Sequence, residues 1–116
     1  MSEYENKKTI LVVDDENILV DILKVHFKNN YKVLTAYNGK DAFEIYKINR
    51  IDVVLTDVDI PIMNGLKLLD EIKKINPLAK VYVMSAENYK IALERGASGF
   101  LQKPFSLENL DKIIKN

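Results

Sequence analysis

Asp14, Asp15, Asp57, Ser85 and Lys103 all stand where apolar runs stop. "TILVVDD" ends in the first two, "IDVVLTD" in Asp57, "AKVYVMS" in Ser85 and "SGFLQK" in Lys103. Each run has the length and composition of a strand, so each polar group falls at a strand's carboxyl end. A further acid, Asp59, follows Asp57 by two positions. Brought to one edge, three acids, a hydroxyl and an ammonium would face a common cleft. The acids would repel one another, each raising the others' pKa. A hard divalent cation relieves that repulsion. Mg2+ is the natural candidate and Mn2+ the alternative, because such an ion accepts a few carboxylates, keeps waters and leaves positions for phosphoryl oxygens. The chemistry implied is phosphoryl transfer to a carboxylate, giving an aspartyl phosphate.

Whether these groups meet depends on the elements that carry them. After the first strand, Ile18, Ile22 and Val25 recur at helical spacing, with Leu19, Leu23 and Phe27 beside them. "YKVLTA" reads as a second strand, and Asn38-Gly39 turns the chain into the helical "KDAFEIYKIN". "GLKLLDEIKKI" reads as a helix stopped at Asn76-Pro77, because proline cannot continue it. "ENYKIALER" predicts a short helix closed by Gly96, and "SLENLDKIIK" a last helix with Ser106 as N-cap and Glu108 in its first turn. Repeated βα units form a parallel sheet covered by helices on both faces. The expected fold is α/β, a doubly wound five-stranded sheet of order 2-1-3-4-5, flavodoxin-like, with a short fourth helix. That order sets strands one, three, four and five side by side. Their carboxyl ends, where this architecture places its sites, then share one edge.

Composition narrows the function classes. At 116 residues the chain suits one domain, expected over residues 8–116 behind a polar leader at 1–7. That leader has no apolar core and is not a signal peptide. Seventeen basic residues balance seventeen acidic ones, so neither nucleic acid nor an anionic membrane is an expected partner. No cysteine is present, which excludes disulfides and thiolate metal sites. No apolar run reaches membrane-spanning length, and a cytoplasmic protein is expected. The single histidine, His26, falls on the first helix away from the edge and is assigned no phosphoryl role.

In order along the chain, "VVDDE", "LTDVDIPIMNG", "MSA" and "GASGFLQKPF" resemble the receiver domain of two-component response regulators, over roughly residues 8–115. The resemblance implies that Asp57 is the phosphoacceptor, supplied by a histidine kinase, a phosphotransfer protein or a small phosphodonor. It implies that Asp14 and Asp15 hold Mg2+, Asp15 directly and Asp14 partly through water, with the backbone carbonyl of Asp59 as a further ligand. Ser85 matches the hydroxyl that binds a phosphoryl oxygen, Lys103 the lysine that pairs with the acceptor and then the phosphate, and Phe100 the aromatic switch. The Lys103-Pro104 bond is expected to be cis. The Asp59 side chain and Glu87 stand where they would modulate the phosphoryl lifetime. If the sequence is a whole protein, a stand-alone receiver of the chemotaxis or phosphorelay kind is expected; the alternative is a piece of a larger regulator. The stand-alone receiver would be monomeric and act by contact with a downstream protein.

The segment from Ser85 to Gly96 is about one helical turn shorter than is usual in receivers. This stunts the fourth helix on the face that family uses for dimerisation or target docking, so no phosphorylation-dependent dimer is expected there. The competing reading is an enzyme, since "DVDIP" has the Asp-x-Asp spacing of haloacid-dehalogenase-type phosphatases, with Asp57 as nucleophile and Asp59 as general acid. There, however, the motif follows the first strand, and a Thr or Ser stands where this chain has Pro61. A flavodoxin-like redox module would share the topology, but no Ser/Thr/Gly-rich loop follows strand one.

Overall fold

The computed structural model describes residues 7–114, so the expected leader lies outside the described residues except for Lys7. Strands β1 (Lys8–Val13), β2 (Tyr31–Ala36), β3 (Val53–Asp57), β4 (Val81–Ser85) and β5 (Gly99–Gln102) alternate with helices α1 (Asn17–Phe27), α2 (Gly39–Ile48), α3 (Gly65–Ile75), α4 (Ile91–Glu94) and α5 (Leu107–Ile113). Every pairing is parallel and the order is β2-β1-β3-β4-β5. The doubly wound sheet expected from the alternation is the observed one. No helix among the described residues is long and apolar enough to cross a membrane.

Because side chains alternate across a strand, each central strand feeds two cores. Leu11, Val13, Val54, Val81 and Val83 pack with Ala42 and Tyr46 of α2, Leu68, Leu69 and Ile72 of α3, and Ala92 of α4. Ile10, Val12, Val53, Leu55, Tyr82 and Met84 pack on the other side with Leu23 and Phe27 of α1 and Leu110 of α5. All five residues of β3 and all five of β4 are buried, which explains their continuous apolar composition.

Local signals set the helix ends. The Asn38, Asn64 and Ser106 side chains each accept a backbone N–H in the first turn, from Asp41, Lys67 and Asn109. Gly65 lets α3 begin against the backbone of Asp57, because a Cβ there would collide with the Asp57 carbonyl oxygen. Its amide donates to Val58 O at 2.9 Å. The start of α3 is thus seated directly on the end of β3.

Two readings change. Only Ile91–Glu94 of "ENYKIALER" is helical. The preceding residues take a turn in which Asn88 Oδ1 accepts the Lys90 amide, a local bond that competes with helix. On α1 the apolar line Ile18, Ile22 and Val25 faces solvent, and burial falls on Val20, Leu23 and Phe27. Two apolar lines lay side by side on that helix, and periodicity alone does not say which one meets the sheet.

The β3–α3 loop holds the one described non-glycine residue with positive φ, Ile62 at 71°. Met63 N donates to Pro61 O across it at 2.8 Å, closing a γ-turn. A β-branched residue is strained in that region, and Ile62 is 76% exposed, so little packing offsets the strain. Ile62→Asn, which tolerates positive φ, should raise stability by about 1 kcal/mol in urea denaturation. An unchanged or lower midpoint would show that the turn stores no strain.

Candidate functional site

Sheet register assembles the site. Val13 pairs with Thr56, which sets Asp14, the next residue after β1, beside Asp57 at the end of β3. Ser85 pairs with Gln102, so Lys103 follows directly beyond it. Ladder-type bonds continue past the strand ends at these positions: Asp14 N to Ala36 O at 3.2 Å, Val58 N to Met84 O at 3.0 Å and Lys103 N to Ser85 O at 2.7 Å. The functional groups therefore sit on backbone held almost as rigidly as the strands themselves.

Lys103 is the centre of the charge arrangement. Its Nζ lies 2.8 Å from Asp14 Oδ2 and 3.2 Å from Asp57 Oδ1. Glu16 Oε1 is a third partner at 3.3 Å. Asp14 is fully buried and Asp57 is 5% exposed, whereas Asp15 is exposed. Carboxylate oxygens of Asp14, Asp15 and Asp57 all fall within 4.8 Å of one another. Three acids against one ammonium form a donor set compatible with a divalent cation, which would bring in the missing positive charge.

The Asp57 carboxyl is pushed up to about 6, first by burial and then by the charge of Asp14, with Lys103 pulling it back. For Lys103, burial favours the neutral amine, but the bond to Asp14 and the charges of Asp14 and Asp57 outweigh it. The ammonium is held well above its ordinary range.

Ser85 is fully buried at the end of β4, and its Oγ accepts the Glu87 amide at 3.1 Å. A hydroxyl that accepts one bond still has its proton to donate. Phe100 lies on β5, partly buried against the α2/α3 core. Asp59 is exposed outside the carboxylate cluster, near enough for its charge to add to the rise at Asp57. Glu87 is exposed in the β4–α4 loop. The Lys103-Pro104 peptide is cis. His26 pairs with Asp111 of α5 at 2.8 Å and takes no part in the site.

Sequence reasoning missed Glu16, Thr56 and Gly65. Glu16 was visible as the third acid of "VVDDE", but nothing in its spacing says that it reaches Lys103. The buried Thr56 hydroxyl donates to the Asp57 carbonyl at 2.9 Å, steadying the Asp57 backbone. Gly65 carries no chemistry, and only the fold shows what its missing side chain permits.

A family model, the response regulator receiver domain, matches residues 10–115. The chemotaxis protein CheY of Thermotoga maritima is 38% identical over 93% of this chain and 98% of its own length. The transcriptional regulatory protein CrdR of Helicobacter pylori is 32% identical, and there the chain spans 54% of the relative. Among solved structures, a response regulator receiver domain protein from Clostridium thermocellum aligns at TM-score 0.84 with 33% identity, over 91% of this chain and 90% of that one. CheY in a CheX-CheY-BeF3-Mg complex from Borrelia burgdorferi aligns at TM-score 0.84 with 27% identity, covering 91% and 85%.

The raised Asp57 carboxyl carries a stability consequence. Between its ordinary value of 3.8 and about 6, the folded chain binds more protons than the unfolded chain, so stability falls as pH rises through that window. Asp57→Asn removes the ionisation. Without divalent cation it should be more stable than wild type by on the order of 2 kcal/mol at about pH 7.5, and the gain should vanish near about pH 4. Urea titrations at both pH values measure this, and an equal gap at both would assign the effect to packing instead of charge.

Proposed function

The chain belongs to the response regulator receiver domain family, a phosphoaccepting signalling switch, and from that premise we propose that Asp57 is its phosphoacceptor. The donor is a histidine kinase, a phosphotransfer protein or a small phosphodonor. The observation that carries this reading is the buried Asp57 carboxylate held 3.2 Å from Lys103 inside the Asp14, Asp15 and Asp57 cluster. As nucleophile, an Asp57 oxygen forms a new bond to phosphorus while the donor's bond to phosphorus breaks, and the bonding pair leaves with the donor. The chain promotes only this transfer and the later hydrolysis of its own acyl phosphate.

Mg2+ would be held by Asp14, Asp15, Asp57 and the backbone carbonyl of Asp59, and when bound it supplies charge that offsets the phosphoryl oxygens. The chain's own residues do the rest. Lys103 brings the positive charge that lets an anionic donor approach a carboxylate. Ser85 keeps its Glu87 contact and donates its proton to a phosphoryl oxygen. Asp59 and Glu87, both exposed at the rim, act on the rate at which water reaches the phosphoryl group.

A phosphoryl group adds roughly two negative charges and three acceptor oxygens. The conformation that Ser85 and Lys103 adopt around them differs in energy from the resting one. Only that difference shifts the population. Phe100, half-buried beside β4, reports the shift to the surface made by α4, β5 and α5, where a downstream protein binds. The four-residue α4, tied to α3 by Arg95 and Asp70 at 3.0 Å, leaves little surface there for self-association, and the phosphorylated chain remains a monomer.

Incubation with acetyl phosphate and Mg2+ should add one phosphoryl group, seen as a mass increase of the intact protein. The adduct should disappear when Mg2+ is chelated beforehand and in Asp57→Asn. An adduct that persists in Asp57→Asn would overturn the assignment, and steady turnover of p-nitrophenyl phosphate would favour an Asp-x-Asp phosphatase.

A further inference from the structure

The contact between Glu16 and Lys103 is unusual for the place Glu16 occupies. Glu16 is the N-cap of α1, a position whose side chain commonly accepts a backbone amide of the first turn, yet it makes no such bond. Its own amide donates instead to Asp14 Oδ1 at 3.0 Å, while Asp14 Oδ2 accepts from Lys103 Nζ at 2.8 Å. One buried carboxylate thus fixes both the Glu16 backbone and the lysine ammonium. The Glu16 carboxylate closes the ring by accepting from Lys103 at 3.3 Å.

The partners of Lys103 differ in how readily they can be left. The Asp14 side chain is 0% exposed, and stripping the ammonium from it would strand a buried charge. The Glu16 side chain is 66% exposed, so breaking its contact returns a carboxylate to water at little cost. When a phosphoryl group competes for the ammonium, the Glu16 contact is the one that yields. In the resting chain Glu16 is a third partner of Lys103, at 3.3 Å beside Asp14 at 2.8 Å and Asp57 at 3.2 Å.

We propose that Glu16 is a positioning residue that restrains Lys103 in the unphosphorylated chain and biases the switch against the phosphorylated state. This rests on Asp57 being the acceptor. Its effect passes through Lys103, which separates it from simple repulsion of an anion by another surface acid. Asp21 supplies the comparison, being an exposed acid on the same helix with no bond to Lys103.

The test is a beryllofluoride titration at saturating Mg2+, followed by backbone amide resonances, on wild type, Glu16→Gln and Asp21→Asn. Each variant removes one negative charge from α1 or its cap. Glu16→Gln should bind the phosphoryl mimic about threefold more tightly at low ionic strength, the range expected for a solvent-exposed ion pair. The gain should shrink in high salt. Asp21→Asn should match wild type. The Lys103 ammonium resonance should shift in Glu16→Gln and stay in place in Asp21→Asn. Equal or weaker binding by Glu16→Gln, or the same gain in Asp21→Asn, would overturn the proposal while leaving Asp57 as acceptor. Failure of wild type to bind the mimic would remove both.

Discussion

One ammonium answers for two buried acids, and the site is built around that imbalance. Asp14 is fully buried and Asp57 nearly so, side by side on neighbouring strands. Carboxylates in that setting must neutralise or find a cation. Lys103 reaches both from a position 89 residues beyond Asp14, possible only because β5 lies beside β4 at the far edge of the sheet. Its single charge faces two acids, and the Asp57 carboxyl is raised first by burial and then by Asp14, with Lys103 only pulling it part of the way back. The deficit suits the site to a divalent cation and then a phosphoryl group. Each brings the kind of partner that the resting chain lacks.

The packing of the sheet keeps that tension in place. β3 and β4 are buried along their whole length, so water cannot screen the acids from below. Backbone bonds that outlast the strands fix Asp14 and Lys103, and the Thr56 hydroxyl and the Gly65 contact steady the Asp57 backbone. A switch of this kind needs only a few kcal/mol of differential contact between two arrangements. Glu16 and Asp59, in contrast to Asp14 and Asp57, are exposed.

Much of this was legible in the sequence because apolar runs and their terminal polar residues are local signals. The five strands follow from apolar runs of strand length, and the meeting of Asp14, Asp57, Ser85 and Lys103 follows from four of those runs ending in them once the order expected of this architecture is adopted. What escaped depended on contacts between distant segments. The side of α1 that packs is chosen by the sheet, so the Ile18, Ile22 and Val25 line could not be told from its neighbour. The fourth helix shrank because Asn88 captures the Lys90 amide, a side-chain choice that periodicity does not register. Glu16 carried no assignment in the sequence, and its bond to Lys103 exists only once β1 and β5 are placed.

The central claim is that the phosphoryl group is carried by Asp57 as an acyl phosphate. Borohydride reduces an aspartyl phosphate to homoserine, so treating the phosphorylated chain and sequencing its peptides reads the acceptor directly. The account predicts homoserine at position 57 and at no other aspartate. Homoserine at position 59, 14 or 15, or a phosphoryl group that survives on another residue type with Asp57 intact, would contradict it.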